Sequence, residues 1–347
     1  MSAQSSTSTG KPMRLALLGM WHTHAAGMVR QIATHPDEFT LVGAWDPDAA
    51  LAAQRREQWK SFADIRLFDS PDALLAEPLD GVVVEGIVSD NLSYARMGLE
   101  RGLPVLMEKP FGSDLAEARA TFAMARENKL HLQLVYLFRY MSAVEEMLTR
   151  AKRGDIGHIY EFRGRLPKDF RLYDEHVATL GQYRGGIFFE MAGHLIDFMC
   201  ALLGPPREIK SLTGHHHPTI PAAAVGDFVD NGTAIFGFER AVGIVEVPAL
   251  EITNDQRRIE VYGTEGALII PHLGSGHLSN DATQPLDVLA RGSSSWERLP
   301  LKQAVLQIRD LREFAAVVAG RKQPDYSLEH DMAVQEALLV ASGMSAG

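Results

Sequence analysis

The sequence predicts an α/β chain that opens with a doubly wound parallel sheet and continues into an α+β domain with a largely antiparallel sheet. Short apolar runs alternate with helical patterns from about residue 14 to residue 136, which is typical of a parallel sheet. From residue 207 to residue 290 strand-like runs are joined by turns, which favours antiparallel pairing. The length of 347 residues suits two domains of about 150 residues each.

Composition and charge indicate a globular protein and argue against one that binds nucleic acid or anionic membranes. Apolar residues make up 46% and charged residues 22% of the chain, an ordinary globular balance. The net charge of −10 argues against a nucleic-acid or anionic-membrane partner. Cys200 is the only cysteine, so no disulfide can form within the chain, as expected in a reducing compartment.

The polar segment 1–12 is rich in Ser and Thr, which predicts a disordered tail rather than a signal peptide. No uninterrupted apolar run reaches the roughly 18 residues that span a bilayer. We therefore expect a soluble, cytoplasmic protein.

The first strand and the turn after it resemble the start of a dinucleotide-binding unit. The apolar run Leu15–Gly19 is followed by a short turn and a helical pattern, the order of elements in such a unit. A second strand, 41–46, ends in Asp46, near the spacing at which a carboxylate receives ribose hydroxyls. A carboxylate there repels a 2′-phosphate, which favours NAD over NADP. The alternative is that Asp46 only shapes a turn with Pro47 and Asp48.

The glycine-rich fingerprint of this turn is incomplete. Gly19 is present, but Trp21 stands where a glycine would let the backbone approach a pyrophosphate. His24 stands where a third glycine would allow close helix–strand packing. This motif alone does not establish a nucleotide site.

Three further strands complete the predicted parallel sheet, at 81–87, 103–107 and 131–136, with helices at 91–101 and from 114 to about 128 between them. The strand at 103–107 is followed directly by Glu108-Lys109-Pro110. The carboxyl ends of such strands face the ligand crevice. Lys109 is therefore either a solvated surface charge or a group held against a substrate oxygen. The Lys109–Pro110 bond is a candidate for the cis form, since X-Pro bonds tolerate it.

The second half of the sequence no longer alternates strictly between strand and helix patterns. A helix at 140–153 ends at Gly154, and a strand follows at 159–165. After Gly185-Gly186 a second helix runs from 188 to 203. Strands are predicted at 234–238, 242–247 and 258–263, and closing helices at 303–319 and 328–342. The run His215–His217 opens a polar loop that could line a substrate pocket.

Glu190 and His194 are four residues apart on the predicted helix and share one face. His194 is the strongest candidate for a general base, because an unperturbed imidazole titrates at about pH 6.5. Asp197 lies close by. The alternatives are hydrogen-bonded structural side chains, or a metal site in which His22 and His24 join this pair.

The landmarks together resemble those of the Gfo/Idh/MocA family, named after glucose–fructose oxidoreductase and inositol dehydrogenase. The resemblance runs from about residue 14 to the end of the chain. Its marks are Glu108-Lys109-Pro110, Gly185-Gly186, Glu190, His194–Asp197, Val261–Gly266 and Glu329–Asp331.

The resemblance implies an NAD-binding Rossmann domain at 13–137 and a domain at 138–347 that binds substrate and forms a homodimer or homotetramer through its sheet. It places the catalytic lysine at Lys109 and the catalytic histidine at His194. Glu190 takes a position where the family commonly has Asp. The implied cofactor-binding residues are Gly19, Trp21, His22, Asp46, Asn91, Glu108 and Lys109. Asn91 replaces a frequent histidine, and no metal is expected.

The leading hypothesis is an NAD-dependent dehydrogenase acting on a secondary alcohol of a sugar, an inositol or other polyol, or a glycoside. A second hypothesis is an enzyme that retains NAD and cleaves or epimerises a glycoside through a transient ketone. A third is a non-catalytic sugar-sensing regulator. Trp21 and His24 favour the sensor, whereas Lys109, Glu190 and His194 argue against it.

Overall fold

The computed structural model describes residues 11–60, 63–169, 185–217, 228–250, 256–274, 282–303 and 306–344. Within these ranges the chain forms two compact units. The first contains the chain as far as Gly112, residues 116–135 and the later segment Gln307–Asp325. The second contains residues 113–115, Tyr136–Leu306 and the chain from Tyr326. Most of the predicted disordered tail lies outside the described residues, and the domain division at residue 137 stays a prediction.

The described residues of the first unit contain a five-stranded parallel sheet with the strand order β2-β1-β3-β4-β5. Its strands are β1 Met13–Leu18, β2 Phe39–Trp45, β3 Gly81–Val84, β4 Val105–Glu108 and β5 Leu132–Val135. All four residues of β3, β4 and β5 are buried, as expected of strands covered on both faces. The predicted doubly wound parallel sheet is confirmed.

Helices connect these strands, at α1 His24–Thr34, α2 Ala49–Gln58, α3 Pro71–Leu75, α4 Val88–Glu100 and α5 Leu115–Glu127. The side chain of Asp48 accepts the backbone N–H groups of Ala50 and Leu51 and so caps α2. The helix α4 begins at Val88, three residues earlier than predicted from the sequence, and β3 correspondingly ends at Val84.

One helix from the C-terminal part of the sequence, α8 (Gln307–Val318), belongs to the first unit. The side-chain amide of Gln133 on β5 donates to the backbone oxygen of Asp310 at 3.1 Å. Arg312 forms two hydrogen bonds to the carboxylate of Glu38 at 2.6 and 2.9 Å. These contacts bind α8 to the unit that carries the parallel sheet.

The second unit contains, among the described residues, an eight-stranded sheet with the order β13-β12-β11-β10-β6-β9-β8-β7. Its strands are β6 Ile159–Arg165, β7 Glu208–Gly214, β8 Asn231–Gly237, β9 Val242–Pro248, β10 Arg258–Gly263, β11 Gly266–Ile270, β12 Thr283–Ala290 and β13 Glu297–Lys302. The pair β6–β9 is parallel and the other pairs are antiparallel, which confirms the predicted largely antiparallel sheet.

Three helices pack with this sheet, α6 Ser142–Arg153, α7 Gly186–Leu203 and α9 Leu328–Ala341. The helix α7 is the central one, and its residues are buried from Gly186 to Cys200. Among the described helices it alone is long and apolar enough to cross a membrane, yet 83% of it is buried. Packing inside the unit accounts for its apolar character, and Cys200 is one of its buried residues.

Candidate active site

The carboxyl ends of β1 and β3 lie side by side at the point where the strand order of the parallel sheet reverses. In open α/β sheets this switch point is where ligands bind. The turn after β1 carries Gly19 to His24, and the segment after β3 carries Glu85 to Asn91. Most of the predicted cofactor-binding residues of the first unit therefore belong to these two segments.

Gly19 has a positive φ of 83°, a backbone conformation that suits glycine. A Cβ atom at this position would lie 2.4 Å from the Cα atom of Gly86. The turns after β1 and β3 thus approach each other backbone to backbone, and no larger residue fits at Gly19. Trp21, which replaces the next expected glycine, is partly exposed, and its carbonyl oxygen accepts a hydrogen bond from Arg55 at 3.4 Å.

Asp46 lies beyond the end of β2, and its carboxylate holds both neighbouring turns. One oxygen accepts the backbone N–H of Met20 at 2.7 Å and the other accepts that of Asp48 at 2.9 Å. Burial raises the pKa of Asp46, although these two backbone groups act in the opposite direction. Asp46 therefore has the turn-forming role considered as an alternative, and its contact with a ribose stays a prediction.

Two histidines and two glutamates lie close together at the carboxyl ends of β1, β3 and β4. The Nδ1 atom of His24 lies 3.2 Å from Glu108 Oε2, and the Nδ1 atom of His22 lies 3.7 Å from Glu85 Oε2. The imidazole rings of His22 and His24 are 4.4 Å apart in an edge-on arrangement. Both carboxylates are buried, with side-chain exposures of 0% for Glu85 and 1% for Glu108. We call these four residues the His–Glu cluster.

The two carboxyl groups of the His–Glu cluster have opposite pKa shifts. Burial, followed by the charges of Glu108 and Asp310, raises the pKa of Glu85 well above its usual range. Burial also acts to raise the pKa of Glu108, but the neighbouring His24 and His22 outweigh it and the pKa is lowered. The geometry therefore favours a protonated Glu85 beside an ionised Glu108.

Lys109 follows Glu108 at the carboxyl end of β4, and the Lys109–Pro110 bond is cis, as predicted. Lys109 is only 2% exposed, so it is not a solvated surface charge. Its ammonium acts electrostatically on Glu85 and Glu108.

The buried side-chain amide of Asn91 has no hydrogen-bond partner among the described residues. This amide lies close to the backbone of Gly86, since a Cβ atom added to that glycine would be 3.0 Å from Asn91 Oδ1. A buried amide without a hydrogen-bond partner is available to a bound ligand.

In the second unit, α7 carries Glu190 and His194 on one face, and both are buried, at 7% and 5% exposure. The ring of Phe138 stacks on the His194 imidazole at 4.2 Å with an angle of 17° between the planes. The ring of Tyr136 meets the same imidazole edge-on at 5.8 Å. These two aromatic rings fix the plane of His194. The phenol oxygen of Tyr136 is buried and lacks a hydrogen-bond partner in the part of the chain that the structure describes.

A buried ion cluster contains Asp197, which lies three residues after His194 on the same helix. Arg139 makes hydrogen bonds to both oxygens of Asp197, at 3.0 and 2.6 Å, and a further one to Asp331. His330 Nε2 lies 2.8 Å from Asp197 Oδ1. Burial acts to raise the pKa of Asp197, but Arg139 and His330 lower it to about 2. The carboxylate of Asp197 is therefore charged at neutral pH and anchors α7 to the segment that contains Phe138.

Sequence reasoning singled out Lys109, Glu190 and His194 and placed Asp197 near His194, but it did not assign roles to Glu85 or Tyr136. It placed Arg139 and Tyr140 at the border of the crevice, with a surface pair as the alternative, and both residues are instead buried. Glu85 directly follows an apolar strand and was included in that strand. A carboxylate at the carboxyl end of a buried strand is the feature that could have identified it. The predicted site residues fall into two groups, one in each unit. The run His215–His217 lies in a loop, where the backbone N–H groups of His216 and His217 donate to the carboxylate of Asp230.

Comparison with known protein families gives two matches along the chain. Residues 13–136 match an oxidoreductase family with an NAD-binding Rossmann fold. Residues 144–269 match the GFO/IDH/MocA C-terminal domain. Together the two matches cover more than half of the sequence.

Two relatives align over most of the chain. The UDP-N-acetylglucosamine 3-dehydrogenase of Acidithiobacillus ferrooxidans is 31% identical over 92% of this chain and 95% of that protein. The NAD⁺-dependent scyllo-inositol 2-dehydrogenase of Bacillus subtilis is 26% identical over 90% of this chain and 88% of that protein. An oxidoreductase from Agrobacterium radiobacter, solved in complex with NAD⁺, L-tartaric acid and magnesium, shares the fold with a TM-score of 0.78, 16% identity and 97% coverage of both chains.

The ion cluster around Arg139 makes a testable contribution to stability. Replacement of Arg139 by Ala leaves Asp197 and Asp331 buried without their guanidinium partner, a change that typically costs about 3–5 kcal/mol. We expect a clear fall in the denaturant midpoint of unfolding. The matched control is Arg153→Ala, because Arg153 pairs with Asp155 but its side chain is 62% exposed, and we expect no measurable change. Equal midpoints for the two variants would contradict a stabilising role for the buried ion cluster.

Proposed function

Since the chain belongs to the Gfo/Idh/MocA family of oxidoreductases with an NAD-binding Rossmann fold, we propose that it oxidises or reduces a secondary alcohol of a sugar, inositol, other polyol or glycoside. The observation that carries the proposal is the buried Lys109 at the carboxyl end of β4, 2% exposed beside Glu108. An ammonium held there without bulk solvent can stabilise an alkoxide. The names of the two dehydrogenase relatives support the substrate class.

The first unit has groups that fit a dinucleotide. Gly19 brings two turns into backbone contact, and Asn91 and Glu108 each have a buried polar atom without a hydrogen-bond partner among the described residues. We propose that Gly19, Trp21, His22, Asp46, Asn91, Glu108 and Lys109 hold NAD. When bound, the nicotinamide supplies the hydride acceptor or donor. The carboxylate of Asp46 favours NAD over NADP because it repels a 2′-phosphate.

His194 takes the proton of the substrate hydroxyl in the direction of oxidation. An imidazole whose plane is fixed by Phe138 and Tyr136 has a defined direction for its nitrogen lone pair, which general-base catalysis requires. Glu190, one turn earlier on the same face of α7, orients this imidazole or binds a second substrate hydroxyl. Lys109 stabilises the negative charge that develops on the substrate oxygen as the proton leaves.

Substitution of the two proposed catalytic residues tests this mechanism. We expect Lys109→Met and His194→Gln each to lower kcat for alcohol-dependent NADH formation by at least about 100-fold, the usual range for loss of an electrostatic stabiliser or a general base. The assay uses a panel of inositols, free sugars and UDP-sugars. Lys152→Met and His158→Gln are the controls, since both side chains belong to exposed residues of the second unit. Full activity in Lys109→Met or His194→Gln would refute the assignment.

We propose in addition that the chain forms a cytoplasmic homodimer or homotetramer through the eight-stranded sheet. Leu212, Ile235 and Val242 are 80%, 49% and 45% exposed, and the strand register places them on one face of β7, β8 and β9. An exposed apolar surface of this kind is typical of a protein interface. Light scattering should give a mass of two or four chains, and the mass of a single chain would contradict the proposal.

A further inference from the structure

The proposed dehydrogenase mechanism gives no role to His24, which lies beside His22 at the turn after β1. A dinucleotide-binding turn usually has glycines at the positions of Trp21 and His24. Here His22 and His24 instead reach the carboxylates at the ends of β3 and β4, at 3.7 Å from Glu85 and 3.2 Å from Glu108. Imidazole and carboxylate groups at such distances form a typical metal-ligand set.

We propose that His22, His24 and Glu108 bind a divalent transition-metal ion of the zinc class. One ligand-type atom from each of the three ligand residues lies within 4.8 Å of the others. Zinc–ligand lengths of about 2.0–2.2 Å place two tetrahedral ligand atoms roughly 3.4 Å apart. His24 Nδ1 and Glu108 Oε2, which form a hydrogen bond of 3.2 Å, have nearly that separation.

Burial gives a second and independent reason for a cation at this place. Glu108 Oε1 and both carboxylate oxygens of Glu85 are buried without a hydrogen-bond partner in the described part of the chain. Leaving carboxylate oxygens in this state is energetically costly. A cation bound to Glu108 would satisfy its buried Oε1 atom.

The second unit shows how the same types of residue behave when the chain supplies its own cation. Asp197, His330 and Asp331 also bring ligand-type atoms within 4.8 Å of one another. There the guanidinium of Arg139 binds both carboxylates directly. The cluster around Arg139 is therefore satisfied from within the chain, whereas Glu85 and Glu108 retain buried oxygens that no described residue satisfies.

The ligand types select the class of metal. Two imidazoles and one carboxylate suit zinc and its neighbours in the first transition row, whereas Mg²⁺ and Ca²⁺ prefer sites made only of oxygen atoms. Three protein ligands leave a fourth position of a tetrahedral ion for an external ligand.

Zinc binding by the full-length chain tests the proposal. The protein is stripped with a chelator and freed of nucleotide, equilibrated with Zn²⁺ and passed through a desalting column, and bound zinc is measured by elemental analysis. We expect one zinc per chain, and loss of this stoichiometric binding in His22→Ala, His24→Ala and Glu108→Gln.

The controls separate this site from other histidines. His216→Ala alters the middle histidine of the run His215–His217 and should leave zinc binding unchanged. Retained binding in the folded His24→Ala and Glu108→Gln variants, or loss of binding in His216→Ala, would overturn the proposal, as would the absence of stoichiometric binding in the parent chain. Circular dichroism confirms folding, and His24→Asn replaces any alanine variant at that position that unfolds.

The zinc measurement uses neither nucleotide nor substrate. His22 and Glu108 also belong to the proposed cofactor-binding set, so the two proposals share residues. Failure of the dehydrogenase assay would leave the zinc result standing, and failure to bind zinc would leave the dehydrogenase assay interpretable.

Discussion

The compensation of buried carboxylates is the physical constraint on which the arrangement of both units depends. An ionised carboxylate loses most of its hydration when it is buried, and the loss must be balanced by a cation or by hydrogen bonds. In the second unit Arg139 does this for Asp197 and Asp331. In the first unit His24, His22 and Lys109 do this for Glu108. Each cluster lies beside a residue that we propose to be catalytic.

This placement links stability to function. Arg139 binds Asp197 on α7, one turn from His194, and belongs to the same short segment as Phe138, which stacks on the His194 ring. The ion cluster therefore holds the imidazole and the ring that orients it in a fixed relation. Lys109 is likewise positioned by its place at the end of a buried strand and by the carboxylates next to it. We propose catalytic roles for His194 and Lys109 because each side chain is held in place within its own unit.

The sequence predicted the fold well because strands and helices leave periodic patterns of apolar residues. The parallel sheet, the largely antiparallel sheet and the helix that carries Glu190 and His194 follow from such patterns. The predicted end of β3 and start of α4 were less accurate. The apolar residues Ile87 and Val88 belong to the start of α4 and could not be distinguished by sequence pattern from the end of the strand at Val84. The packing of α8 with the parallel sheet could not be read from the sequence, because it depends on contacts such as Arg312 with Glu38.

The candidate site was predicted in part. Lys109 and His194 could be proposed from the sequence because their residue types occur at places where chemistry is usual, at a strand end and on a helix face. The partners of Arg139 are 58 and 192 positions away along the chain, so no local pattern could pair them. Glu85 could not be distinguished from an edge residue of its strand. Its importance comes from burial and from His22, which are properties of the folded unit.

The first unit is expected to bind NAD although its glycine fingerprint is incomplete, and the proposed chemistry depends on that binding. Calorimetric titration of the nucleotide-stripped chain with NAD and with NADP tests it most directly. We expect NAD to bind, and to bind more tightly than NADP, because Asp46 presents a carboxylate at the end of β2. Binding of neither nucleotide would mean that Trp21 and His24 close the site, and it would contradict the proposed dehydrogenase in favour of a sugar-sensing protein without that activity.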